Sequence, residues 1–244
     1  MTSAGTAPDP DENRQMFDRI ARRYDLLNTV LSFGLDRGWR RQAVRDLAPY
    51  PGCAILDVGC GTGDMMIEIL RHCPEARVTG LDAAREMLAL AAGKLARAGL
   101  TSATDLRLAD ATATGLPAGA FGGLVTAFCL RNLAERPRAL DEFHRLLADG
   151  GTLVILELTR PQHALLRLGH RLYNHGVVPL VGRLLGHRGA YQYLVDSIDR
   201  FLAPEAVLKM LVEAGFSETR CRPLNGGIVT LFHACKPTPP CKGA

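Results

Sequence analysis

The chain has 244 residues, 47% of them hydrophobic and 22% charged, with a formal net charge of +4, enough apolar material for one sizeable α/β domain. So mild a positive charge, with no dense basic stripe carrying interleaved aromatics, argues against a dedicated nucleic-acid binder. Seven cysteines, odd in number and without a CxxC pair, argue for a reducing, cytoplasmic setting, and no run approaches the ~20 apolar residues needed to cross a bilayer.

Residues 1–13, MTSAGTAPDPDEN, hold acids and prolines but no apolar segment, and are expected to form a disordered tail. Residues 14–50 place Met16, Phe17, Ile20, Tyr24, Leu27 and Leu31 near helical spacing, which predicts a helical lid. Trp39 lies in the basic stretch DRGWRR. Over 51–158 the pattern changes to short apolar runs alternating with helical segments: AILDV, RVTGLD, DLRL, GLVTAFCL and GTLVILEL. That alternation predicts a Rossmann-like α/β core, a mostly parallel sheet with helices on both faces. Residues 159–203 read as a helical cap insertion rich in Leu, Arg and His. Its His170, His175 and His187 lack metal-ligand spacing and read as solvated or packing side chains, so no metal site is expected. Residues 204–236 add a helix and two β-like runs, 217–223 and 227–235, completing a single domain over 14–236. The last eight residues, 237–244, are expected to be a flexible tail.

The most informative segment is Ala54–Asp64, AILDVGCGTGD. A buried strand ends in Asp57, and Gly59, Gly61 and Gly63 then fill a tight loop before a helix. Glycine serves where the backbone turns sharply or must approach a ligand, and ligands of open α/β sheets bind at the carboxyl ends of strands. Alone, the pattern also fits a plain strand-to-helix turn. Asp82 closes the second run, where a carboxylate accepts ribose hydroxyls, and Asp110 follows the third, where an adenine edge would lie. Asp64 occupies the position that would complete a dinucleotide fingerprint. An acid there repels a pyrophosphate and favours a cationic nucleoside, although an acid is also favourable at any helix N-terminus.

VGCGTGD, the acid at the end of the second run, LADAT and LPAGAF together resemble class I methyltransferases. MFDRIARRYDLLNTVLSFGLDRGWRR, FCLRNLAERPRALDEFHRLLADGGTLVILELTRP, YQYLVDSI and LNGGIVTLFHACKP are more narrowly similar to the ubiquinone/menaquinone biosynthesis C-methyltransferases, over about Met16 to Pro237. The resemblance implies a seven-stranded class I methyltransferase fold with one antiparallel strand. It also implies methyl transfer from S-adenosyl-L-methionine to a prenylated quinol, either a demethylmenaquinol or a 2-polyprenyl-6-methoxybenzoquinol. The expected cofactor-binding residues are Asp57, Gly59, Gly61, Thr62, Asp82, Asp110, Ala111 and Ala127. Ala127 stands where the family has Ser or Gly, and Cys129 replaces a usual Gly, departures that bear on acceptor identity.

The chemistry asks for a group that takes the acceptor's hydroxyl proton or stabilises its oxyanion. The resemblance places Arg131, Tyr24 and Asp25 in catalytic roles. Arg131 keeps its proton and therefore suits a phenolate partner rather than a base; the plainer reading is a salt bridge to Glu135 at i, i+4. The insertion is expected to cover the acceptor pocket. It is also a candidate for admitting a polyprenyl tail by peripheral contact with a membrane. A homodimer is a further expectation. The competing readings are a methyltransferase of another small aromatic, a non-catalytic subunit of this fold, and, disfavoured by Asp64, a nicotinamide oxidoreductase.

Overall fold

The structure is a computed structural model that describes residues 10–179 and 188–239. His187 and Cys241 lie outside the described residues, as do the side chains of Ile20, Tyr24 and Leu27. Helix α1 (Pro10–Leu31) begins inside the stretch expected to be a tail. The lid segment is two helices, because Phe33 and Gly34 take positive φ (52° and 75°) and break the chain before α2 (Asp36–Leu47).

The core alternates strand and helix as the apolar runs predict. In chain order it comprises β1 (Ala54–Val58), α3 (Asp64–His72), β2 (Arg77–Asp82), α4 (Arg85–Arg97), β3 (Thr104–Leu108), β4 (Phe121–Ala127), α5 (Arg136–Leu146) and β5 (Leu147–Leu158). Strand β5 starts earlier than GTLVILEL suggests, since the chain passes from α5 straight into extended structure. The insertion supplies α6 (Ala164–Leu172), a wider π turn over Tyr173–Val177, and α7 (Arg188–Arg200). Helix α8 (Pro204–Glu213), β6 (Ser217–Leu224) and β7 (Val229–Cys235) follow.

The seven strands lie in the order β3-β2-β1-β4-β5-β7-β6. The β1–β2, β1–β4, β2–β3 and β4–β5 pairs are parallel, while β7 runs antiparallel to both β5 and β6. The order reverses between β1 and β4, which opens the crevice where ligands of such sheets bind. Strand period sorts side chains between two buried layers. Ile55, Val125, Val154 and Leu156 face the layer shared with α2 and α3, and Leu56, Leu124, Leu153 and Ile155 face the layer shared with α5 and α8. Burial on both faces is why these strands read as continuous apolar runs. Among the described residues, no helix is long and apolar enough to cross a membrane.

Candidate active site

The glycine loop turns immediately after β1. Gly59, Gly61 and Gly63 all have positive φ (70°, 53° and 86°), which L side chains rarely adopt. Gly59 has a second requirement: a Cβ there would lie 2.4 Å from Cys129 Sγ. The loop is pinned from β2, because the Gly59 and Cys60 amides donate to Leu81 O at 2.7 and 3.0 Å. The Gly61 amide donates to Asp82 Oδ2 at 2.8 Å, and the Ala84 amide donates to Asp82 Oδ1 at 2.9 Å. Burial raises the Asp82 carboxyl, and these amide donors oppose the shift. Asp57 sits beneath the loop, buried, with Oδ2 unpartnered among the described residues. Burial pushes its carboxyl up to about 8, with Arg40 opposing and Asp82 and Asp64 adding to the rise.

A cavity of about 220 Å³ opens beside this loop. Gly59, Gly61, Asp82, Asp110, Ala111 and Ala127 line it together, as does Cys129. Among the described residues, its walls carry the carboxylates of Asp82, Asp110 and Glu135 against one cation, Arg14. That donor set suits a cationic nucleoside and offers little to a pyrophosphate. Ala127 and Cys129, the departures expected to bear on the acceptor, thus lie on this wall. Burial pushes the Cys129 thiol up to about 12, so it stays protonated.

Two expected cofactor residues lie elsewhere. Asp57 is under the loop, and Thr62 is buried and turned toward α1, where its hydroxyl donates to Asp25 Oδ1 at 2.5 Å. The Lys94 ammonium closes this cluster, reaching Asp25 Oδ2 and Asp64 Oδ1 at 2.6 Å each and Thr62 Oγ1 at 3.0 Å. Asp64 therefore both starts α3 and pairs with Lys94. Asp25 lines neither this cavity nor the next: its carboxylate ties α1 to the glycine loop and α4, so its placement does not support contact with an acceptor. Farther up α1, Asp18 Oδ1 accepts the Glu86 amide at 3.0 Å at the first turn of α4. Phe17 and Arg14 of the same helix cover the cavity.

A second cavity, about 400 Å³ and largely apolar, meets the first at Phe128, which lines both. Its walls come from α1, α2, α6 and α7, including Leu31, Trp39, Leu166, Leu194 and Ile198. Phe128 has positive φ (58°) and is held by its amide donating to Leu156 O at 2.7 Å. Its ring packs edge-on to Trp39 at 6.3 Å, with the Arg40 guanidinium 5.5 Å from its centroid.

Arg131 lines this second cavity. It does not bridge to Glu135, which is exposed and lies 3.4 Å from Arg138. The Arg131 guanidinium donates to Glu157 Oε1 at 2.7 Å and to Phe128 O at 2.5 Å, and its amide donates to Glu157 Oε2 at 3.0 Å. Both members of the pair are buried, Glu157 completely. A buried pair is sustained only by such saturated hydrogen bonding. Beside it, Tyr193 donates to Asn132 Oδ1 at 3.0 Å, and Asn132 donates to Phe128 O at 3.2 Å.

Lys94, Phe128, Glu157 and Tyr193 are functional candidates that sequence reasoning missed. Glu157 had a legible signal, since a carboxylate inside the buried run LVILEL demands a partner. His170, read as a solvated or packing residue, lines the second cavity and is half-buried. His175 pairs with Asp199 at 3.0 Å.

The chain has known relatives. Residues 7–236 match the model of the ubiE/COQ5 methyltransferase family. The chain is 42% identical over 230 residues to the ubiquinone/menaquinone biosynthesis C-methyltransferase UbiE of Syntrophotalea carbinolica, covering 93% of this chain and 95% of that one. It is likewise 42% identical over 225 residues to the demethylmenaquinone methyltransferase of Thermus thermophilus, covering 91% and 100%. In fold it resembles the [4+2]-cyclase SpnF, with TM-score 0.73 and 18% identity over 98% of this chain and 100% of that one. The match to the family and to these relatives spans both cavities, and on it the chain belongs to the ubiE/COQ5 methyltransferase family, enzymes that depend on S-adenosylmethionine.

Proposed function

We propose that this enzyme C-methylates the ring of a prenylated quinol, with a demethylmenaquinol as the first acceptor to examine and a 2-polyprenyl-6-methoxybenzoquinol as the second. The carrying observation is the largely apolar cavity of about 400 Å³ that adjoins the acid-lined one at Phe128, the one residue lining both among those described. The relatives' names support the same reading. S-adenosylmethionine bound in the acid-lined cavity supplies a methyl already activated as a sulfonium. Asp82 and the loop glycines would hold the nucleoside, and Asp110 and Ala111, which line the same cavity, would face its base. Arg131 sets a fixed positive charge in the wall of the acceptor cavity, the sign that stabilises a phenolate. Glu157 and the Phe128 carbonyl hold that guanidinium in place. Asp25, Thr62 and Lys94 hold α1 over the donor side.

The cavity mouth supports a peripheral membrane contact. Phe33, Leu165, Leu168 and Leu172 are exposed at 78%, 74%, 57% and 67%, beside the exposed Arg167 and Arg171. Apolar side chains flanked by cations suit an anionic bilayer surface, from which a prenyl tail would enter.

The deciding experiment supplies purified enzyme with labelled S-adenosylmethionine and both reduced acceptors, each with a short prenyl chain. Label in the ring methyl of either product, lost in Asp82→Ala, is the expected result and names the branch. Tight donor binding with no label in either product would overturn the quinol reading in favour of another aromatic acceptor.

A further inference from the structure

Methylating a neutral quinol requires its hydroxyl proton to go somewhere, and Arg131 cannot accept it. Among the described residues lining the acceptor cavity, three carry ionisable side chains, Arg131, Tyr173 and His170, and of these Arg131 keeps its proton. Tyr173 is committed, its hydroxyl donating to Leu31 O at 3.0 Å, and burial raises it further from the neutral range. His170 is different. Its Nε2 faces Asn174 Nδ2 at 3.4 Å, so with the amide donating, Nε2 carries the lone pair. A contact that long is at the weak end of hydrogen bonding and is readily exchanged for a hydroxyl donor.

We propose that His170 is the general base of this enzyme, accepting the acceptor's hydroxyl proton within the cavity whose wall holds the Arg131 cation. The inference rests on the quinol reading and adds the residue that moves the proton. As the O–H bond breaks, its proton goes to His170 Nε2 and its electron pair enters the ring. The ring carbon then forms the new C–C bond to the donor methyl, and the breaking C–S bond leaves its pair on sulfur. The hydrogen on that carbon departs to water as the ring regains aromaticity, and the carbonyl oxygen takes its proton back from His170. One proton is released overall, and His170 ends as it began.

The surroundings favour the neutral imidazole this role needs. Burial lowers the histidine below its ordinary range, and Asp199, facing it from α7, opposes that less strongly. Asp199 is itself shared with His175 at 3.0 Å. Arg167 and Arg171 on α6 itself are exposed.

The test compares wild type, His170→Gln and Asn174→Ala across mildly acid to mildly alkaline pH, under reducing conditions with a short-chain demethylmenaquinol. Wild-type kcat should rise with pH through a limb below the ordinary histidine range. His170→Gln should lose that limb and about 10²-fold or more in kcat at little cost in KM. Asn174→Ala, which leaves the imidazole in place, should keep the limb. Isotope-labelled histidine NMR provides a reading independent of turnover. The signal missing in His170→Gln should titrate with the kinetic limb, and its pKa should move when a naphthol binds in the presence of S-adenosylhomocysteine. A His170→Gln enzyme that melts like wild type, keeps the acid limb and stays within about threefold in kcat would overturn the role of His170 while leaving the quinol reading intact. No quinol turnover by wild type, with the naphthol leaving the His170 signal unmoved, would overturn both.

Discussion

Burial keeps the Asp57 carboxyl protonated up to about pH 8, whereas its ordinary value is 3.8. Between those values the folded chain holds a proton that the unfolded chain has lost, so stability falls as pH rises through that window and the full penalty stands above it. In Asp57→Asn the melting temperature of the ligand-free protein should stay level across the interval where wild type declines; equal slopes would show that Asp57 does not titrate there. Asp57 and Asp82 were legible as acids ending apolar runs, and so was their loop, because three glycines in five residues advertise backbone that other residues resist. Phe128 was not legible. Nothing in FCLRN announces a left-handed phenylalanine, since its amide is held by a distant carbonyl, Leu156 O of β5, while the Arg131 and Asn132 side chains hold its own carbonyl. Histidines 170 and 175 look alike in the sequence, but one faces a cavity and the other an exposed carboxylate.

Elements carry the coupling between these residues. The turn after β4, strand β5 and helix α7 converge on Arg131, through Phe128 O, Glu157 and Ser197 Oγ, the last at 3.3 Å. Arg131→Ala strands the fully buried Glu157 charge and should cost about 3–5 kcal/mol. An Arg131→Met, Glu157→Leu double variant should recover most of that stability and none of the methyl transfer. Urea melts beside single-turnover rates separate the two effects; an Arg131→Ala protein as stable as wild type would contradict the structural half. Strand and helix kinds were readable from periods of 2 and 3.6, which depend on sequence-local burial. Element ends were less so. Helix α1 extends back to Pro10 through a polar segment whose composition alone suggested disorder, and its docking rests on distant partners, Asp18 with α4 and Asp25 with Lys94. The i, i+4 reading of Arg131 failed for the same reason: it assumed a helix where the chain makes a short 3₁₀ turn (Leu130–Asn132).

At the scale of the whole molecule, Leu165, Leu168 and Leu172 of α6 and Phe33 of the α1–α2 turn are exposed, and Leu165 and Phe33 line the larger apolar cavity. A Leu168→Ser, Leu172→Ser variant, which leaves the residues lining the cavity unchanged, should lose most co-sedimentation with anionic vesicles while keeping its rate on a water-soluble, short-chain acceptor. Undiminished vesicle binding would remove α6 from the contact.

The meeting of the two cavities at Phe128 has a consequence for how such an enzyme diversifies. The acid-lined cavity is built from strand ends and the glycine loop, with Arg14 and Phe17 of α1 across it, and a single Cβ at Gly59 already collides with Cys129. The acceptor side is built mainly from helices before and after that core, and their inward side chains can change without disturbing a β-ladder. Ala127 and Cys129, expected from the sequence to depart from the family pattern, both line the acid-lined cavity. On the proposed function, acceptor range is then a trait that changes in α6 and α7 can alter while the glycine loop and strand ends stay as they were.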